Sequence, residues 1–128
     1  MAVLYKGYLI GTIYNTSLYS SEVKLLSNDS INRLSIKIDI GSKEIYGILS
    51  RYEDGLYKIE GITDMDDIPE SSLATTSGLN DNIPAGLKIG YVTSIGSDNF
   101  DLARLVNIKP GINLNDINYI MVVMKKWL

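Results

Sequence analysis

Short segments in which apolar and polar residues alternate recur along this chain, and clusters of glycine, asparagine and serine separate them. In the clearest case, RLSIKIDI at residues 33–40, every second residue from Leu34 to Ile40 is apolar. A two-residue period is the pattern of a strand with one buried face. No segment keeps a helical period over three turns, so long helices are not predicted. Strands are predicted at residues 8–14, 23–26, 33–40, 44–51, 56–62, 73–76, 87–92, 102–108 and 119–124.

Turn-forming residues connect these strands. Asp54 and Gly55 lie between two strands and favour a type I′ hairpin. Turns are also predicted at residues 15–17 and 110–111, and residues 113–116 predict one helical turn. Strands spaced by roughly 8–12 residues, with turns between them, indicate a small barrel or sandwich. We therefore predict an all-β fold.

The segment from Leu73 to Val92, LATTSGLNDNIPAGLKIGYV, predicts a strand, a wide turn and a second strand. Ser77 and Gly78 end the first strand, and Pro84 restricts the backbone of the turn. Gly90 interrupts the second strand. A glycine inside a strand marks a bulge or a close approach of another backbone.

The glycine spacing of this segment occurs a second time near the start of the chain. Residues 7–13 (GYLIGTI) and 86–92 (GLKIGYV) both contain a glycine, three residues, a second glycine, one residue and a β-branched apolar residue. The repetition predicts two related β units. Only six residues precede the first copy, so we expect the chain to begin part-way through its first unit. The glycines do not open helices, which favours bulges and close packing over a phosphate-binding loop.

Composition excludes several functional classes. The 128 residues are 45% apolar, enough to bury a core, and fit one domain or two very small ones. Histidine and cysteine are absent from the sequence, so Ser-His-Asp, Cys-His and histidine–metal sites cannot form. The formal charge is −3 and the basic residues are scattered, so nucleic-acid binding is not predicted. No run of about 18 apolar residues is present to span a membrane.

Two groups of residues resemble functional sites but have a simpler interpretation. Asp64, Asp66, Asp67 and Glu70 cluster as calcium ligands would, but their spacing does not match an EF-hand, so a solvated acidic loop is favoured. Ser77 precedes a glycine as some nucleophiles do, but the chain offers no histidine or suitably spaced lysine to activate it. We predict neither a metal site nor a catalytic serine.

Tyrosine is unusually frequent, with nine residues in the chain. Its ring suits half-buried strands, and it is also enriched at binding hot spots. Core packing is the favoured interpretation, although the sequence does not separate core from interface. Eight of the nine are in question, namely Tyr8, Tyr14, Tyr19, Tyr46, Tyr52, Tyr57, Tyr91 and Tyr119.

Five segments together resemble one bacterial family. They are GYLIGTI (7–13), SSEVKLLSND (20–29), YGILSRYEDGLYKIEGI (46–62), TTSGLNDNIPAGLKIGYV (75–92) and IKPGINLNDINYIMVV (108–123). Their order and spacing resemble MreC, the family of rod-shape-determining proteins. The most specific part is Thr-Ser-Gly-Leu followed by Pro-x-Gly-Leu-x-x-Gly-x-Val. The family-motif positions, to which we assign a structural role, are Gly7, Gly11, Thr76, Ser77, Gly78, Leu79, Pro84, Gly86 and Gly90.

The resemblance implies small six-stranded β-barrels, one inserted between the strands of the other. Residues 31–111 would form the second, inserted barrel. Residues 1–30 and 112–128 would be the remnant of a membrane-proximal barrel, which is incomplete in this chain. An incomplete barrel would present an open strand edge able to pair with another copy.

The resemblance also implies a function without catalysis and without a cofactor. Members are scaffolds of the cell-wall elongation machinery that maintain rod shape on the extracytoplasmic face of the cytoplasmic membrane. They self-associate as homo-oligomers or filaments. They also bind a class B penicillin-binding transpeptidase, MreD and other elongation-complex proteins. Contact with the membrane would come only through a segment absent from this chain.

Two positions depart from the family pattern. Ser71 and Ser72 stand where Gly-Asp usually precedes the Thr-Ser-Gly strand, so that turn is expected to differ. Thr12 stands where an arginine usually follows the first glycine pattern, so contacts of that arginine are not expected here.

Two other functions stay open. A carbohydrate- or ligand-binding β module of the cell envelope is the main alternative, and a tyrosine-lined groove would favour it. An enzyme would need a convergent carboxylate pair in a cleft, such as Asp39 with Glu44 or Glu60, and no sequence pattern predicts one.

Overall fold

The computed structural model describes residues 2–27, 33–62, 67–79, 83–97, 104–113 and 120–123. These residues form ten β-strands, and no helix in this part of the chain has the length and apolar character needed to cross a membrane. The strands are β1 (Ala2–Tyr5), β2 (Tyr8–Thr16), β3 (Ser21–Leu25), β4 (Leu34–Asp39), β5 (Glu44–Glu53), β6 (Leu56–Ile62), β7 (Leu73–Thr76), β8 (Lys88–Ser97), β9 (Arg104–Pro110) and β10 (Met121–Val123).

The alternation in β4 becomes a strand with one buried face. Leu34, Ile36 and Ile38 are buried, whereas the polar residues between them are only half-buried. The apolar face therefore points into the core, as the two-residue period predicts.

The hairpin between β5 and β6 has the predicted turn. Asp54 and Gly55 have positive φ angles of 55° and 79°, and the flanking residues Glu53 and Leu56 pair with each other. A type I′ turn requires a positive φ at both central residues, because its backbone twist then matches that of the strands.

Six strands close into a barrel. β4, β5, β6, β9, β8 and β7 pair in this order, β7 pairs back to β4, and every pairing is antiparallel. Closure removes free sheet edges from this part of the molecule. The prediction of an all-β fold with a six-stranded barrel is confirmed. The buried side chains of the barrel include Leu34, Ile36, Ile38, Ile45, Leu49, Tyr57, Ile59, Ile62, Ala74, Ile89, Val92, Val106 and Ile108.

The other four strands form an open antiparallel sheet in the order β10-β1-β2-β3. One parallel bridge, Tyr8 to Lys88, joins its β2 to β8 of the barrel. β1 is buried on both faces, because its residues alternate between the barrel core and a second cluster that contains Val3, Tyr5 and Ile10. Among the described strands, β3 pairs only with β2 and β10 only with β1.

The two glycine patterns have the same strand pairing. In each copy the second glycine pairs with a residue on both sides, and the residue before it is left out of the ladder as a bulge. A second bulge follows three residues after that glycine in both copies. Thus β1-β2-β3 repeats β7-β8-β9, and the first copy has its preceding strand although only six residues stand before the pattern. The glycines are Gly11 and Gly90, and the bulged residues are Ile10 and Ile89, then Tyr14 and Thr93.

Some boundaries differ from the predictions. β2 continues through most of the turn predicted at residues 15–17, because Asn15 and Thr16 pair with residues of β3. The turn follows at residues 17–20. β9 extends to Pro110, the first residue of another predicted turn.

Several sequence predictions lie outside the described residues. They concern the acidic residues Asp64 and Asp66, residues 114–116 of the predicted helical turn, Tyr119 and the side chain of Tyr14.

Candidate functional site

Thr76 organises the turn that the family motif predicts. It is fully buried at the end of β7, and its hydroxyl donates to the carbonyl of Pro84 at 2.6 Å. The same oxygen accepts the backbone N–H of Leu87 at 3.0 Å. Its backbone N–H also donates to the Leu87 carbonyl, and its carbonyl accepts the N–H of Gly86, both at 2.9 Å. One side chain therefore joins both sides of the wide turn.

Ser77 takes part in turn contacts within the same motif. Its hydroxyl accepts the backbone N–H of Leu79 at 3.2 Å, and its own N–H donates to the Ser35 carbonyl at 3.1 Å. A serine hydroxyl that bonds the N–H two residues on is a local turn motif. Gly78 has a positive φ of 84°, and a Cβ atom there would lie 2.8 Å from the Cβ of Ala85.

The four glycines of the repeated pattern have two different roles. Gly7 and Gly86 have φ angles of 86° and 84°, which L-residues rarely adopt, and they lie in turns before strands. Gly11 and Gly90 lie inside strands, where a Cβ atom would overlap a backbone carbonyl of the neighbouring strand. The predicted bulges and close approaches are thus present at both strand positions.

The carboxylates that an enzyme would need as a convergent pair lie on the outer surface of the barrel. Asp39 and Glu44 face each other across β4 and β5, and both are exposed. Asp39 accepts the N–H of Gly41 at 2.8 Å, which is a local turn contact. Glu44 lies 3.7 Å from the ammonium of Lys37. These contacts are those of surface strand residues.

Glu60 belongs to an ion-pair network on the outer face of β5 and β6. Its carboxylate lies 2.5 Å from the guanidinium of Arg51, which also pairs with Glu53 at 3.0 Å. Hydrogen bonds to Glu53 and Glu60 raise the pKa of Arg51. Among the described residues, no group of three acidic side chains is arranged to hold a metal ion.

A cluster of four residues, here called the junction cluster, lies where the open sheet meets the barrel. The hydroxyls of Tyr8 and Tyr91 are 2.8 Å apart, and their rings meet edge to face with centroids 6.4 Å apart. The ammonium of Lys88 lies 5.8 Å from the centroid of the Tyr8 ring. A Cβ atom at Gly111 would overlap that ring. The hydrogen bond to Tyr91, and then burial, raise the pKa of Tyr8.

An open cleft of about 520 Å³ lies beside the junction cluster. Its lining contains one tyrosine and no carboxylate among the described residues, and this part of the lining matches neither the tyrosine-lined groove nor the acidic cleft that the alternative functions require. The lining residues are Tyr52, Gly55, Lys109, Pro110, Gly111, Ile112 and Asn113.

The turn between β2 and β3 exposes two large apolar side chains. Leu18 is 92% exposed and Tyr19 is 98% exposed. The sequence pattern predicts the turn earlier, at residues 15–17, so Leu18 and Tyr19 were not expected at its tip. A usable signal was present, since residues 7–21 contain no charged residue and the turn has no Asn-Gly or Asp-Gly.

The tyrosines divide between core and surface. Tyr57 is buried in the barrel, with Tyr52 packed against it at 5.3 Å between ring centroids. Tyr19, Tyr46 and Tyr91 are exposed, so core packing is the wrong interpretation for these three.

Comparison with known proteins assigns the family. The sequence model described as rod shape-determining protein MreC, barrel core, matches residues 1–124. This chain belongs to the MreC family. The cell shape-determining protein MreC of Bacillus subtilis is 37% identical over 127 residues, which cover 92% of this chain and 43% of that protein. The chain therefore spans less than half the length of this relative.

Solved MreC structures have the same fold. MreC of Listeria monocytogenes matches with a TM-score of 0.85 and 31% identity, over 94% of this chain and 58% of that one. The major periplasmic domain from the cell shape-determining filament MreC matches with a TM-score of 0.76 and 30% identity, over 87% and 68% of the two chains.

A third structure shares the fold alone. It is a chain of the complex between penicillin-binding protein PBP2 and MreC from Helicobacter pylori, with a TM-score of 0.71 at 18% identity. The match covers 93% of this chain and 73% of that chain.

Proposed function

We propose that this chain is a non-catalytic scaffold of the cell-wall elongation machinery on the extracytoplasmic face of the cytoplasmic membrane. It self-associates and binds a class B penicillin-binding transpeptidase, MreD and other proteins of the elongation complex. Membership of a family of cell-shape-determining proteins supports this proposal. So do a related periplasmic domain described as part of a filament and a complex of a family member with PBP2.

The observation that carries the proposal is the pair of unequal sheets. One is closed into a barrel, and the other has two outer strands, β3 and β10, each with one edge that no described strand covers. Edge strands offer unpaired N–H and C=O groups to another chain. Leu25 of β3 is 40% exposed, and Met121 of β10 is 64% exposed, so both edges also present apolar surface.

We further propose the division into a membrane-proximal barrel remnant, residues 1–30 and 112–128, and an inserted barrel, residues 31–111. The shared strand order supports this division. β10, β1, β2 and β3 pair in the same antiparallel order as β4, β7, β8 and β9 of the closed barrel. In the closed barrel β5 and β6 complete the ring. Two equivalent strands would complete the open sheet.

Surface chemistry supports binding rather than catalysis. Glu44, Glu53, Glu60 and Asp39 face basic groups or a turn N–H group. Among the described residues, none in the lining of the cleft is acidic.

Binding to the purified extracytoplasmic region of a class B transpeptidase tests the proposal, together with sedimentation of the chain alone over a range of concentrations. We expect both the complex and concentration-dependent association. A folded sample that stays monomeric and does not bind the transpeptidase would refute the proposed function.

A further inference from the structure

The exposed turn between β2 and β3 is a rigid apolar projection, here called the knob and defined by Leu18 and Tyr19. Ser17 and Ser20 hold its base, since the Ser17 N–H donates to the Ser20 carbonyl at 2.7 Å and their hydroxyls lie 2.7 Å apart. The Ser20 N–H also donates to the Ser17 hydroxyl at 3.2 Å. A preorganised turn loses little conformational entropy on binding, which favours it as an anchor.

Charge around the knob fits a protein partner better than a lipid surface. Residues 7–21 carry no charge, and the nearest charged residue on β3 is Glu22. Apolar segments that enter anionic membranes are usually flanked by lysine or arginine. Two other hairpin tips of this chain, at Ser42 and at Asp54, are polar. Tyrosine is one of the residues enriched in hot spots that fill a pocket.

The chain itself offers a cleft of suitable size and chemistry. Its volume of about 520 Å³ lies in the range of pockets that accept side chains or small ligands. Tyr52, Pro110 and Ile112 supply apolar surface, and Lys109 can donate to a phenol oxygen. A tyrosine ring with a leucine beside it matches this mixture.

Knob and cleft lie at opposite ends of one strand. Gly111 of the cleft contacts Tyr8 at the start of β2, whereas the knob follows Thr16 at its end. Eight residue steps of a strand separate these ends by about 25 Å. A knob at one end of a subunit and a pocket at its other end make a head-to-tail contact between two copies. Repetition of this contact gives an open filament when the rotation from one subunit to the next does not close a ring.

We propose that the knob of one copy inserts into the cleft of the next copy, so that copies of this chain join head to tail along the direction of β2. This inference rests on the proposed function, to which it adds a self-association contact besides the open strand edges. Tyr19 supplies the aromatic anchor, and Lys109 and Tyr52 of the receiving copy face it.

Cross-linking with single cysteines tests the contact while leaving the knob intact. The sequence has no cysteine, so in a mixture of a Thr16→Cys chain and a Lys109→Cys chain every cross-link joins two of the introduced cysteines, and the mass of the product distinguishes the mixed dimer from the two homodimers. A short bis-maleimide should join these two chains roughly tenfold faster than it joins Lys109→Cys with Ser42→Cys, a cysteine at a different exposed hairpin tip. Equal rates, or a predominance of Thr16→Cys homodimers, would overturn the proposal.

Sedimentation of the full chain provides an independent measurement. The double variant Leu18→Ser/Tyr19→Ser should weaken self-association about tenfold or more, because it removes the anchor pair. Leu79→Ser, at another leucine that is 75% exposed, is the matched control and should leave association unchanged. Circular dichroism should show the same folded spectrum for all three proteins.

The outcomes separate this contact from the broader function. If the double variant associates as the wild type does, the knob contact is wrong and the scaffold proposal stands. If the double variant loses transpeptidase binding and keeps self-association, the knob anchors the synthase instead, and head-to-tail docking is refuted. If the wild type neither associates nor binds the transpeptidase, both proposals fail.

Discussion

At the scale of single residues, Thr76 explains why a polar residue lies inside an apolar barrel. Its hydroxyl bonds both Pro84 and Leu87, which belong to the far side of a turn that spans eleven residues. A buried hydroxyl is tolerated when it has partners of this kind, and it then specifies one arrangement of the chain.

Replacement of this hydroxyl tests its role. Thr76→Val keeps the shape of the side chain but removes the hydroxyl that bonds the Pro84 carbonyl and the Leu87 N–H. We therefore expect the free energy of unfolding to fall by about 1–3 kcal/mol. Urea unfolding followed by circular dichroism measures the loss. Thr75→Val, the neighbour on the opposite face of β7, is the control, and an equal loss in both variants would contradict the assignment.

Tyr57 makes the stability of the barrel sensitive to alkali. Burial, and then the neighbouring Tyr52, raise the pKa of Tyr57 above its ordinary value of 10.0. The unfolded chain then releases this proton at a lower pH than the folded chain. The folded barrel therefore keeps this part of its stability below about pH 10 and loses it as the pH rises towards the pKa of Tyr57 in the folded chain.

Unfolding free energies measured at several pH values between about 8 and 11 test this expectation. The wild type should lose stability above about pH 10, and Tyr57→Phe should lose less over the same range. The exposed Tyr19→Phe variant should follow the wild type. If the unfolding free energy of Tyr57→Phe falls with pH as steeply as that of the wild type, another titrating group causes most of the loss.

At the scale of secondary-structure elements, the paired bulges are the main feature. Gly11 and Gly90 have no side chain, so the carbonyls of Lys24 and Lys109 on the neighbouring strands occupy the space that a Cβ atom would fill. Bulges sharpen the local twist and bend of a strand. Because both three-stranded units share the bulges and the register, one local glycine pattern determines the shape of both.

Two glycine substitutions on β8 distinguish a steric clash with the neighbouring strand from a general effect of replacing glycine inside a strand. Gly90→Ala would drive a methyl group into the Lys109 carbonyl, so we expect a loss of about 1–3 kcal/mol or more in unfolding free energy. At Gly96 the nearest atom to an added Cβ lies 3.9 Å away, so Gly96→Ala should change stability by less than about 0.5 kcal/mol. Thermal or urea unfolding of both variants distinguishes these outcomes, and similar losses would argue against close approach as the cause.

At the scale of the whole molecule, the junction cluster is one contact between a closed barrel and an open sheet, beside the packing of Ala2, Leu4 and Leu9 into the barrel core. Within the described part of the chain, a single parallel bridge joins the two backbones, so side chains supply much of the connection. Tyr8 contacts Tyr91 and Lys88 of the barrel, and its ring occupies the space beside Gly111. The junction cluster is partly exposed, so it is expected to open before the barrel core does.

Gly111→Ala tests the junction, because the added methyl group forces the Tyr8 ring to move. We expect hydrogen exchange to become several-fold faster at the start of β2, while protection in β4 to β6 is unchanged. Tyr91→Phe, which removes only the hydrogen bond, should have a smaller effect in the same region. A uniform increase across all strands would show instead that the two parts unfold as one unit.

Prediction from sequence succeeded where the determining interaction is local. Asp54-Gly55 specifies its turn through backbone angles, and the alternation in β4 specifies which face is buried. The turn at residues 15–17 was misplaced because pairing with β3, a contact between strands, extended β2 to Thr16. The junction cluster joins Tyr8 to Tyr91, residues far apart in the chain, and no local pattern relates them.

The sequence by itself determined the strand class, the type I′ hairpin, the repeated glycine pattern and the resemblance to the MreC family. These features depend on neighbouring residues, through backbone angles and the two-residue strand period. Only the tertiary structure decided which strands close into a barrel, that Thr76 joins both sides of its turn, and that Leu18 and Tyr19 project at one end of β2 with a cleft at the other. Those features depend on strand pairing and packing between distant segments.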